Sequence, residues 1–144
     1  MPSINALQAY YARKEYKKAI ERADQMLLEG KNPMALYIKG LSLYNLNESK
    51  STIEAMKELI ALEDNVLAYN IIAESYLKLG EINDAISYFE RLLSKDKDNF
   101  AAMKKLATLY SKKNKEKAQD YCYRLLEAGI EDNEIKNLLA KLRS

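Results

Sequence analysis

The chain of 144 residues contains no histidine and no tryptophan, one cysteine, two prolines and four glycines. Without histidine it lacks the commonest general base and the commonest metal ligand. No glycine-rich phosphate loop, cluster of metal ligands or serine nucleophile elbow is present either, so the sequence predicts a protein that is not an enzyme and uses no cofactor and no metal. One cysteine, Cys122, excludes an internal disulfide and fits a reducing compartment, which points to a cytoplasmic protein. No run of about 18 apolar residues occurs, so no membrane span is expected. The opening MPSINALQAYYARKEY has no charged segment followed by an apolar core, and no secretory signal is predicted. Basic and acidic side chains number 23 and 21, and a net charge of +2 does not suggest a nucleic-acid binder.

What is present is helical periodicity. Scarce proline and glycine leave little room for long loops, and Leu, Ala, Lys and Glu dominate, which favours helix. Between Val66 and Asn99, Tyr69, Ile72, Ala73 and Tyr76 precede Gly80, while Ile82, Ala85, Ile86, Phe89, Leu92 and Leu93 follow it. Each set keeps i, i+3, i+4, i+7 spacing and so forms one helical face, giving two helices joined by a tight turn. The pattern recurs. Tyr10, Tyr44, Tyr76 and Tyr110 close successive first helices, and Ala19, Thr52, Ala85 and Ala118 mark the second helices at steps of 33. Met26, Leu59, Leu92 and Leu125 form one further column, and Leu27, Ile60, Leu93 and Leu126 the next.

Asn32, Asn65, Asn99 and Asn133 stand between units as expected N-caps, with Pro33 at the N1 position that proline suits. Gly80 sits where the chain must reverse in a left-handed conformation, and Lys14, Asn47 and Asn114 hold the corresponding turns elsewhere. The reading is four helical pairs, at about residues 1–31, 32–64, 65–98 and 99–132, followed by a capping helix at 133–143, all in a single array over 1–144. Ile135, Leu138, Leu139 and Leu142 give that last helix a narrow apolar stripe and leave its other side polar, as the end of an array requires. Matching the third unit to the first would put the first cap before Met1, so either the array opens on an abbreviated helix or the chain is a fragment of a longer one.

These columns resemble the tetratricopeptide repeat (TPR), a unit of about 34 residues with a bulky residue, a Leu-small pair and a Tyr in its first helix, then an Ala and an aromatic in its second. The match is fullest in the third unit, through Tyr69, Ile72, Ala73, Tyr76, Gly80, Ala85 and Phe89. The fourth supplies Met103, Leu106, Ala107, Tyr110 and Ala118, with Cys122 in the aromatic column; the first supplies Ala6, Leu7, Tyr10, Ala19 and Ala23. In the second, Tyr37 and Tyr44 flank Gly40 and Leu41, whose small and large members read as exchanged, and Met56 replaces the aromatic. The resemblance implies an all-α, right-handed superhelical array of helix-turn-helix repeats.

It also implies a function: a scaffold whose first helices line a concave groove that takes a peptide or helix of a partner protein. Mapped onto this chain, the lining is Ile38, Ser42 and Asn45, then Asn70, Glu74 and Lys78, then Lys104, Thr108 and Lys112. These positions do not complete the lysine and asparagine set with which some family members clamp a chaperone tail. Charge is polarised, with nine acids against three bases from Glu48 to Glu90 and ten bases against four acids from Arg91 to Arg124. Solvated faces account for that, or an acidic partner drawn to the C-terminal half through Lys104, Lys105 and Lys112. The alternative function is self-association into a homo-oligomer. RNA binding by a related repeat would need equivalent polar readers, and Ile38, Asn70 and Lys104 share no pattern.

Overall fold

The computed structural model describes residues 4–144, Ile4 by its backbone alone. Among the described residues there are nine helices: α1 (Ile4–Ala12), α2 (Tyr16–Leu28), α3 (Pro33–Asn45), α4 (Ser49–Leu62), α5 (Val66–Lys78), α6 (Ile82–Lys95), α7 (Phe100–Tyr110), α8 (Lys115–Glu127) and α9 (Asn133–Arg143). Every helix expected from periodicity forms. Two compact units result, divided between Glu81 and Ile82 in the turn after Gly80.

In the first unit, successive helices pack antiparallel from α1 to α5, and α3 also touches α1 and α5, so these three first helices form one layer. Leu7, Ala19, Ala23, Met26, Ala35 and Ile38 build one buried cluster between the first pair and α3. Ile53, Ala55, Met56 and Leu59 bury the inner side of α4, and Ala68, Tyr69, Ile72 and Ala73 that of α5. In the second unit, α7 packs on α6 and α8, and α9 on α8. Its core is apolar, and Phe89, Leu106, Ala118, Cys122 and Leu125 have no exposed surface. The columns at the repeat alanine are closed in every unit: Ala19, Thr52, Ala85 and Ala118 are all fully buried. So are the members of the aromatic column, Ala23, Met56, Phe89 and Cys122, and burial pushes the Cys122 thiol above its ordinary pKa.

Three asparagines cap as expected. Asn32, Asn65 and Asn99 accept from the backbone amides of Ala35, Ala68 and Ala102 at 3.0–3.1 Å through their side-chain oxygens. The expected cap Asn133 is instead the first helical residue of α9, and Asp132 caps, its Oδ1 accepting from the Glu134 amide at 2.8 Å. A carboxylate there also faces the positive end of the helix dipole, which a neutral amide does not exploit. Asn65→Ala should cost about 1 kcal/mol, read as a lower denaturant midpoint with an unchanged slope. Two turns adopt the left-handed conformation without glycine, at Lys14 and Asn47 (both φ 61), and Gly80 takes φ 75. Asn114 does not, acting as N-cap of α8 by accepting from the Lys117 amide at 3.1 Å.

The register of the second repeat corrects the reading by tyrosines. The amide of Glu15 donates to the Tyr10 carbonyl, that of Glu48 to Leu43 and that of Glu81 to Tyr76, each at 2.9 Å. Leu43, not Tyr44, therefore occupies the position of Tyr10 and Tyr76. Counting from the caps agrees, because Leu43, Tyr76 and Tyr110 each lie eleven residues after Asn32, Asn65 and Asn99. Gly40 then aligns with Ala73 and Ala107 as the small member, and the pair in α3 is not exchanged. Gly40 lets α4 pack close, since a Cβ there would lie 2.7 Å from Met56 Cε, at the flexible end of that side chain.

Candidate functional site

The corrected register changes which side chains α3 presents. Ile38 is 4% exposed and belongs to the cluster around Leu7 and Ala23, and Ser42 is fully buried, so neither lines an accessible face. Their places are taken by Tyr37 and Leu41, one residue earlier, which stand five and nine residues after the cap as Asn70 and Glu74 do. Asn45, thirteen residues after its cap, is exposed, as are Lys78 and Lys112 at the same repeat position.

On the first unit these positions join into one surface across α1, α3 and α5. Asn45 Nδ2 donates to the Leu41 carbonyl at 2.8 Å and to the Tyr11 hydroxyl at 3.4 Å. Burial raises the Tyr37 pKa, and neighbouring Tyr11 adds to the shift. The Tyr44 pKa is raised by burial and then by the Glu74 carboxylate. Lys78 Nζ sits 3.8 Å from the centroid of the Tyr44 ring and donates to Asn47 Oδ1 at 3.2 Å, which fixes a cation over an aromatic face. Asn70 and Glu74 are half-buried on α5. Three tyrosines held part-exposed among amide and charged groups form the kind of surface that protein interfaces favour. Tyr11, Tyr37 and Tyr44 were not among the expected groove residues. The cap spacing carried the signal for Tyr37, and Tyr11 stands out in the sequence only as a tyrosine off the repeat columns.

On the second unit, Lys104 is not available as an isolated cation. Its Nζ lies 2.5 Å from Asp132 Oδ2 and 3.8 Å from Glu134 Oε2, tying α7 to the start of α9. The hydrogen bond from Lys104 is the leading cause that holds the Asp132 carboxyl below its ordinary pKa; the bond to Asp132 likewise raises Lys104. A depressed carboxyl pKa stabilises above the ordinary aspartate range, and that contribution disappears as pH falls through the depressed value. Acid should therefore loosen α9 before it melts the core, followed as loss of amide protection in Asn133–Arg143. Asp132→Asn should flatten that acid response. Thr108 and Lys112 are exposed on α7, and the Thr108 hydroxyl donates to the Lys104 carbonyl at 3.1 Å. Tyr110 faces the other side, donating to Glu90 Oε1 at 2.7 Å and stacking on Tyr121, with its pKa raised chiefly by burial. Among the described residues no group of His, Cys, Asp or Glu could hold a metal, and no helix is long and apolar enough to cross a membrane.

Comparison with known proteins places this arrangement in a family. The family model described as anaphase-promoting complex, cyclosome, subunit 3 matches residues 12–92, and that described as tetratricopeptide repeat matches residues 76–142. The chain is a tetratricopeptide-repeat protein. It is 32% identical over 80 residues to the TPR repeat-containing protein MJ1428 of Methanocaldococcus jannaschii, an alignment covering 55% of this chain and 14% of that protein. Its fold is similar to a crystal structure of a tetratricopeptide repeat protein from Parabacteroides merdae, with a TM-score of 0.84, 17% identity and coverage of 97% of this chain and 58% of that one. It is also similar to a chain in the structure of Naa15/Naa10 bound to HypK-THB, with a TM-score of 0.70, 17% identity and coverage of 96% and 22%. The fold class is thus the all-α helical-repeat class expected, and TPR folds are typically protein-protein interaction scaffolds and generally non-enzymatic.

Proposed function

We propose that this TPR protein is a non-enzymatic scaffold, acting in the cytoplasm, that binds a peptide segment or helix of another protein on the exposed face of its first helices. The observation that carries the reading is the linked surface of Tyr11, Tyr37, Tyr44, Asn45 and Lys78 on α1, α3 and α5. Rigid aromatic rings supply contact area with little entropy to lose, and the Asn45 and Asn70 amides can both donate to and accept from a peptide backbone. A preformed face of this kind binds without first ordering itself, which raises affinity by lowering the cost of association. On α7 the attraction for an acidic partner rests on Lys112 with Thr108 beside it, because Lys104 is held by Asp132 and Glu134.

The test is affinity capture from native lysate, comparing the unmodified chain with an Asn45→Ala, Asn70→Ala, Lys78→Ala variant whose changes leave the core untouched. Loss of a specific partner is expected. Retention of every partner would move the site elsewhere. Molar mass by light scattering should stay constant over about a hundredfold range of concentration; a rising mass would favour self-association instead.

A further inference from the structure

At one edge of the first unit the N-terminal turns of α3 and α5 stand apart. Pro33, Met34 and Tyr37 on α3, Leu67 on α5 and Glu63 at the end of α4 line a cleft of about 470 Å³. Met34 is 37% exposed and Leu67 60%, so the cleft opens apolar walls to solvent. The second unit shows how the same repeat position is otherwise filled. Tyr37 and Lys104 each lie five residues after their caps, and Asn65 and Leu67 correspond to Asp132 and Glu134 around the cap of the following helix. There the chain's own lysine spans the position and ends on two carboxylates. Here tyrosine replaces the lysine, amide and leucine replace the two acids, and Glu63 remains as the carboxylate on the rim.

We propose that this cleft takes a lysine or arginine side chain supplied by a protein partner. Its aliphatic stem lies along Met34, Tyr37 and Leu67, and its cation meets Glu63, as a long basic side chain buries its stem while keeping its charge wet. The charge at the cleft suits that occupant, because Glu63 is the one charged residue in its lining. The assignment rests on the first-helix face being the partner-binding surface, and names the partner chemistry at one end of it.

The probe is a pair of capped tripeptides, acetyl-Leu-Arg-Leu-amide and acetyl-Leu-Glu-Leu-amide, titrated into the full chain carrying isotope-labelled methyl and aromatic groups. Saturable shifts centred on Met34, Tyr37 and Leu67 are expected with the arginine peptide, with the glutamate peptide binding at least about fivefold more weakly. Glu63→Gln should weaken the arginine peptide roughly two- to fivefold, the range of an exposed ion pair, and leave the glutamate peptide unweakened. Equal binding of both peptides, shifts centred elsewhere, no saturable shift, or no effect of Glu63→Gln would each overturn the proposal. Unchanged helicity by circular dichroism checks that the exposed substitution leaves the fold intact. If lysate capture depends on Asn45, Asn70 and Lys78 while the tripeptides fail at the cleft, the scaffold reading stands and the basic side chain does not.

Discussion

Replacing Phe89 by Ala should cost about 3–5 kcal/mol, the range for removing a large aromatic from a closed core. Phe89 has no exposed surface, and it is the largest of the fully buried side chains. The void left by six ring carbons is too large for neighbours to fill without moving backbone, so the loss includes a cavity contribution as well as the transfer contribution. On thermal melting the shift should be on the order of 10 °C. Repeat proteins store stability in units and their interfaces, so hydrogen exchange should show protection falling first in Ile82–Lys95 and Phe100–Tyr110. Phe89→Leu should retain most of the stability, because it keeps much of the volume. A Phe89→Ala protein as stable as the parent would mean that the aromatic column contributes little to this repeat.

Gly40→Leu is the second large change, and it tests the corrected register directly. A Cβ at Gly40 would approach Met56 Cε to 2.7 Å and Sδ to 3.0 Å. Met56 is itself fully buried, so its thioether has no solvent to move into. Overpacking of this kind costs about 1–3 kcal/mol for modest additions. Leucine's better helix propensity offsets less than about 1 kcal/mol of it. A net loss of up to about 2 kcal/mol is expected, measured as a denaturant midpoint. Gly40→Ala should fall near balance, since one methyl needs only a small displacement of the flexible thioether. Adding Met56→Ala to Gly40→Leu should recover part of the loss, a coupling that appears only between residues in contact. Were Tyr44 truly in the column of Tyr76, Gly40 would correspond to Ile72, a large residue, and the leucine would be tolerated.

That contrast shows what could be read in advance and what could not. Helix positions were legible because the columns at Ala19, Thr52, Ala85 and Ala118, and at Met26, Leu59, Leu92 and Leu125, encode burial by period alone. Caps at Asn32, Asn65 and Asn99 were legible because an amide side chain at a helix start has one dominant structural role. The α3 register failed because Leu43 and Tyr44 are adjacent and both able to serve in a buried column, so matching tyrosine to tyrosine chose the wrong one. A one-residue slip on a helix turns each side chain by about 100°, and it carried Ile38 and Ser42 from the core to the expected surface. Charge partners were the other gap: Lys104 and Asp132 lie 28 residues apart, and nothing local in sequence announces that they meet.

Asp132 uses its two oxygens for different tasks, one closing the first turn of α9 and the other receiving Lys104. An eleven-residue helix is too short to persist alone in water, so α9 depends on a seat that α7 and α8 must already have built. Lys104 and all of α8 precede Asp132 in the chain, so they emerge from the ribosome before α9 does. Its formation reports, at its own first turn, that the preceding pair has assembled.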